Sequence, residues 1–128
     1  MQRISWDSVQ VRYPPSKKKH IQALNKAKKT SRNITGLEKL ILFGSYAEGK
    51  EHYGSDMDLL FVTNDNCEAR FEDILTFLLD ASTEFDWAPI IMSGNKIKAS
   101  LTLPYWLKDA LAKGVVLWDR NEIKARKA

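Results

Sequence analysis

Asp56 and Asp58 stand on either side of Met57 at the mouth of an apolar run, in the sequence DMDLLFV. In a β-strand residues i and i+2 share a face, so the two carboxylates project side by side. Leu60 and Val62 continue that face, which buries its far end and leaves the acids at the rim. Two carboxylates aimed the same way repel each other. The pair is tolerable if both are solvated, if one is protonated, or if a cation bridges them. Upstream, Gly44-Ser45 follows a second apolar run and is separated from Asp56 by ten residues. If the two runs pair as antiparallel neighbours, the end of the first lies beside the start of the second. Gly44 then lets a ligand approach the backbone closely, and a helical turn through Tyr46-Ala47-Glu48 would aim free N–H groups at an anion. Phosphate donors and metal-binding carboxylates would face one another.

A third acid follows from the connection after the second run. A helix at about residues 67–82 has the length of a crossover to a parallel strand, whose start then lies level with Asp56. Asp86 sits there and is the candidate, bracketed by Phe85 and Trp87; Glu84, two residues earlier on the same face, is its competitor.

The elements that must position these residues are legible in outline. Leu37–Phe43 (LEKLILF) ends in a continuous apolar run, which suits a strand buried on both faces. Met57–Val62 reads as the next strand. Asn64-Asp65-Asn66 offers turn and N-cap chemistry to the following helix, whose Phe71, Ile74, Leu75, Leu78 and Leu79 match the amphipathic template. A third strand runs over about Glu84–Met92, where Pro89 removes a ladder donor and argues for an edge or a bulge. Pro104 suits the first position of a last helix through Lys113, with Gly114 as its stop and Val115–Trp118 as a short final strand. Near the start, Ser16 is a plausible N-cap for a lysine-rich helix to about Lys29, with a thin apolar stripe of Ile21, Leu24 and Ala27. Before it, Val9, Val11 and Tyr13 alternate ahead of Pro14-Pro15, as an edge strand or a loose arm. These elements make an α+β (α/β-like) fold, a small mixed sheet flanked by helices.

Composition narrows the class. With 128 residues, 44% hydrophobic and 28% charged, the chain has the make-up of one ordinary globular domain. Its apolar runs fall far short of the ~20 residues of a membrane span. The start MQRISWDSVQ does not read as a secretory signal, so a cytoplasmic setting is expected. One cysteine, Cys67, leaves no disulfide framework or Cys-rich zinc site. It reads as an ordinary thiol at the opening of a helix. His20 and His52 lack a second ligand at metal-binding spacing and read as solvated surface positions. The four tryptophans read as core or interface residues. The net charge of +4 divides unevenly: residues 1–32 hold nine Lys and Arg against one acid, Asp7, a local charge of +8. The remainder carries eleven basic and fifteen acidic side chains, a charge of −4. A basic extension with a helix (1–32) thus precedes an acidic body (33–128), and the extension is where nucleic acid or an acidic partner could be met.

The segment FGSYAEGKEHYGSDMDLLFV, residues 43–62, resembles the minimal nucleotidyltransferase family of the DNA polymerase β-like superfamily. Members carry Gly-Ser, a spacer of about this length, then Asp-x-Asp followed by apolar residues. The likeness is most specific over residues 39–62, extends more weakly through Asp86 to LKDALAKGVVLW, and leaves residues 1–32 outside. It implies the polymerase β-like fold, with residues 33–128 as the nucleotidyltransferase domain. It also implies a pyrophosphate-releasing enzyme using ATP or another nucleoside triphosphate. Asp56, Asp58 and Asp86 would be both catalytic and metal-binding, holding two Mg²⁺ (or Mn²⁺) ions, with Gly44, Ser45 and Ser55 contacting the nucleotide. Glu48 stands where many relatives carry a basic residue, which removes a phosphate contact there, and EFDWAPII around Asp86 is looser than the usual pattern.

A small sheet has little material for a deep acceptor pocket, so a macromolecular acceptor, or a site completed by a partner, fits better than a small molecule. Short stand-alone members resemble antitoxins that adenylylate a HEPN-domain toxin on a hydroxyl side chain, and this is the leading expectation. The alternatives are transfer to an RNA end or to a small molecule such as an antibiotic, and a non-catalytic module that neutralises a toxin by contact alone. No membrane partner is expected.

Overall fold

Leu37–Phe43 and Asp56–Thr63 are apolar on both faces, and that composition puts them in the middle of a sheet. The computed structural model describes residues 4–5, 10–11, 17–51, 56–84 and 86–121. In chain order these give β1 (Ile4–Ser5), β2 (Gln10–Val11), α1 (Lys17–Ser31), β3 (Leu37–Phe43), β4 (Asp56–Thr63) and α2 (Phe71–Ala81). Then follow β5 (Asp86–Ser93), α3 (Gly94–Ala99), α4 (Tyr105–Lys113) and β6 (Val115–Asp119). The main sheet has the order β5-β4-β3-β6. β3 is antiparallel to both β4 and β6, and β4 is parallel to β5 through the α2 crossover. This is the expected α+β architecture, a mixed sheet flanked by helices. β5, the strand with Pro89, lies at an edge, where a missing N–H costs no ladder bond on the open side. β1 and β2 form a separate two-residue pair, Ile4 opposite Val11, while Val9, Tyr13, Pro14, Pro15 and Ser16 lie outside the described residues.

Alternation along the central strands divides the apolar side chains between two layers. Leu40, Leu42, Met57, Leu59 and Phe61 pack beneath α1 and α2 with Ile74, Leu78 and Trp118. Ile41, Leu60 and Val62 pack on the other face with Leu107 of α4. Phe61 is wholly enclosed, and burial of such a side chain stabilises the fold by about 1.5–3 kcal/mol.

Tertiary packing shifts several helical faces from those expected. α1 buries His20, Ala23, Leu24, Ala27 and Ser31, while Ile21 is 49% exposed. His20 is therefore an interior residue and not a solvated one, because α1 lies with that face on the sheet. α2 begins at Phe71, four residues later than expected: the Asp73 carboxylate accepts the Arg70 N–H (2.9 Å) and closes the helix start there. Asn64 spends its side chain on the preceding turn, accepting the Asn66 N–H (2.9 Å), so Cys67 lies in that loop and not in the helix. Ile74 and Leu78 enter the core, whereas Phe71 and Leu79 stay half exposed at the margins of the stripe. α4 starts at Tyr105 with Pro104 as its cap, and residues 94–99, unassigned from sequence, form α3. Among the described residues no helix is long and apolar enough to cross a membrane.

Candidate active site

The antiparallel pairing of β3 and β4 brings the end of one strand to the start of the other, with Phe43 opposite Asp58. The parallel pairing of β4 and β5 sets Asp86 directly opposite Asp56. Paired residues in register share a face, and Asp56, Asp58 and Asp86 therefore emerge on one side of one sheet edge. That face continues inward as Leu60, Val62, Ile90 and Met92, which are packed and hold both strands in register. Asp56 is exposed and Asp58 half-buried. Glu84, the competitor of Asp86, precedes the strand and is engaged by Lys19 of α1 at 3.1 Å. Trp87 anchors the approach to Asp86 by donating its indole N–H to the Ser82 carbonyl (2.8 Å), while Phe85 lies outside the described residues.

Gly44 leaves β3 with φ +75°, a conformation that side chains disfavour. A Cβ there would collide with Asp58 Oδ2 and stand 3.1 Å from its Cγ. The bare Gly44 backbone thus forms the wall behind the Asp58 carboxylate. Glu48 N–H donates to the Gly44 carbonyl (3.1 Å) and Lys50 N–H to that of Ser45 (2.8 Å), winding residues 44–50 into a helical turn. Such a turn directs its leading amides towards its N-terminal end. Ser45 begins this turn. Ser55 and His52 lie outside the described residues.

Tyr46, in this turn, and Glu51, just after it, come near the acids without a signal in the sequence. Tyr46 is only 8% exposed and meets the His20 ring edge-on at 4.7 Å. Burial, then the charges of Glu51 and Asp86, raise its phenol above the ordinary tyrosine value, so it stays a neutral hydroxyl beside the acids. Glu51 has a buried carboxylate oxygen, Oε2, without a hydrogen-bond partner among the described residues. On the face that carries the acids, Trp106 stacks on Phe43, the register partner of Asp58, with ring centres 6.1 Å apart.

Burial, and secondarily the charge of Asp56, raise the Asp58 carboxyl above its ordinary value. A cation between the two carboxylates would relieve both effects. The donors are all carboxylate oxygens, which suit a hard ion such as Mg²⁺ or Mn²⁺. Among the described residues no group of three or more acids, histidines or cysteines is placed to hold a metal ion, so Asp56 and Asp58 are the donors that lie together. The residues present fit the ion.

The model of a family described as polymerase beta, nucleotidyltransferase, matches residues 25–123. Among solved structures, one described as a toxin-antitoxin with AMP-PNP is 25% identical over 77% of this chain and 75% of its own, with a TM-score of 0.56. A Sulfolobus solfataricus protein described as a candidate nucleotidyltransferase is 21% identical over 81% of this chain and 86% of its own, with a TM-score of 0.49. No curated protein matches the chain.

Proposed function

The chain belongs to the polymerase beta nucleotidyltransferase family, and from that premise we propose that it transfers AMP from ATP to a hydroxyl of a macromolecular acceptor. The observation that carries this reading is the register that sets Asp86 opposite Asp56, with Asp58 two residues on and backed by Gly44. In the reaction the acceptor oxygen bonds to the α-phosphorus in line, the bond from that phosphorus to the bridging oxygen breaks, and pyrophosphate leaves. Asp86 takes the hydroxyl proton of the acceptor. Gly44 and Ser45 steady the phosphate tail through the turn that begins there, joined by Ser55. Asp56 and Asp58 would hold two Mg²⁺ (or Mn²⁺) ions, with Asp86 completing one site, and bound ions would supply charge stabilisation to the entering and leaving oxygens.

In this reading residues 33–128 carry the chemistry in the cytoplasm, where ATP is at hand, and residues 1–32 form a basic extension. The acceptor is a hydroxyl side chain of a HEPN-type toxin. The structural neighbour described as a toxin-antitoxin with AMP-PNP supports both a nucleotide and a protein partner. The lysines of α1 favour a second reading, in which the acceptor is an RNA end.

Incubation with α-labelled ATP, Mg²⁺ and a HEPN-domain partner tests the assignment. Label is expected on the partner and is expected to vanish with Asp56→Ala/Asp58→Ala. Label on an RNA end or an antibiotic instead would reassign the acceptor. If the double variant still neutralised the partner, the protein would be a binding module and not an enzyme.

A further inference from the structure

α1 and the C-terminal end of α2 are separated by a groove of about 520 Å³, floored by Ala23 and Ala81 and walled by Lys19, Lys26 and Lys29. These lysines lie on one stripe of α1, at positions i, i+7 and i+10, so their ammonium groups line the same channel. At one end of the groove Lys19 already holds a carboxylate, that of Glu84, at 3.1 Å. Lys26 and Lys29 have no acidic partner among the described residues, although both face the same space.

We propose that this groove docks an acidic helical segment of the protein acceptor, whose carboxylates continue along Lys26 and Lys29 the pairing that Glu84 makes with Lys19. The proposal rests on the reading of this protein as a transferase acting on a protein. Three observations favour a protein segment over nucleic acid. The lining contains no aromatic ring on which a base could stack, and stacking is what holds single strands in such channels. The lining pairs small alanines with charged side chains, the apolar-and-charged surface that an amphipathic helix recognises in a groove. The one anion the groove holds is a carboxylate. Glu84, which closes one end of the groove, lies two residues before Asp86 in the chain.

The test uses the full chain and three labelled probes: an alanine-rich helical peptide with Glu at i, i+3, i+7 and i+10, its Gln counterpart, and a single-stranded RNA. Fluorescence anisotropy at physiological salt is expected to show binding of the Glu peptide and none of the Gln peptide. Lys26→Glu/Lys29→Glu should weaken the Glu peptide by about tenfold, the combined effect of losing two exposed ion pairs. Lys26→Gln/Lys29→Gln should weaken it less, and both variants should keep the native circular dichroism spectrum. Asp56→Asn/Asp58→Asn should leave peptide affinity unchanged. No binding of the Glu peptide, tighter binding of the RNA, or indifference to the charge reversal would each overturn the proposal. Mg²⁺-dependent ATP binding is measured on the same samples. Its absence would overturn the transferase reading, while peptide binding alone decides the groove.

Discussion

The backbone of Gly44 and the carboxylate of Asp58 occupy adjoining space so closely that no side chain fits between them. One glycine thereby ends β3 at a positive φ and sets the wall of the acidic site, linking a local backbone preference to the placement of a functional group.

Gly44→Ala should therefore cost twice. The positive φ alone costs roughly 1–2 kcal/mol for a residue with a Cβ, and the overlap with Asp58 displaces the carboxylate. Gly49 has a nearly equal φ of +71° but open space around its Cα. Gly49→Ala should lower the melting temperature and leave transfer intact, whereas Gly44→Ala should lower both. Thermal unfolding and label transfer, run on both variants, separate strain from collision.

Asp86→Asn and Glu84→Gln distinguish the two candidates for the third acid. Asp86 is level with Asp56, while Glu84 is turned onto Lys19. Asp86→Asn should reduce transfer by about 10²–10⁴-fold, the usual contribution of a positioned proton acceptor. Glu84→Gln should change the rate by less than about threefold, because an exposed ion pair contributes little to stability. The measurement is single-turnover transfer with saturating ATP.

Asp58 makes a prediction about pH. Its carboxyl is raised by burial and then by Asp56, so the metal-free folded state holds that proton more tightly than the unfolded chain does. Its contribution to stability is thus greatest in acid and declines as pH rises from the ordinary carboxylate value of 3.8 through the raised one. Asp58→Asn should remove that decline and leave the metal-free protein more stable at neutral pH, by less than about 1 kcal/mol given solvent screening. Mg²⁺ should raise the melting temperature of the wild type and not that of the variant. Melting curves from pH 3 to 8, roughly the span over which carboxylates and histidine titrate, with and without Mg²⁺, check both statements.

Arg120 ties the end of β6 to the loop before β3. Its Nε donates to the Leu37 carbonyl (2.7 Å), a terminal nitrogen donates to that of Ile34 (3.3 Å), and the guanidinium lies 5.1 Å from the Trp118 ring centre. Arg120→Ala should destabilise the fold by about 1.5–3 kcal/mol, the range for hydrogen bonds from a charged group. Arg120→Lys should rescue little, because an ammonium cannot reproduce the planar fork. Urea unfolding of the three proteins decides this.

Much of the fold is legible where a residue's role depends on its near neighbours. The apolar run of β3 implies a strand buried on both faces, Pro89 implies an edge or a bulge, and the length of the α2 segment implies a parallel crossover; β3 is central, β5 lies at an edge, and β4 and β5 are parallel. Less legible was anything set by which face a neighbour covers. The expected α1 stripe included Ile21 and excluded His20, because a sparse stripe of small residues leaves the helix's rotation to its contacts with Tyr46 and the sheet. The start of α2 lies later than expected because Asn64 has two uses for one side chain, and only the folded chain determines which is taken.

The sequence by itself determined the chemistry available: two acids at i and i+2 on an apolar strand, a Gly-Ser turn before them, and a basic helix ahead of an acidic body. Those features follow from residue type and strand periodicity, which are local. Tertiary structure alone decided which of the two candidate acids stands opposite Asp56, setting Asp86 there and drawing Glu84 to Lys19, and brought Tyr46 within reach of the charges of Glu51 and Asp86. Each of these is a contact between residues far apart in the chain or a consequence of burial, and no spacing along the chain encodes either.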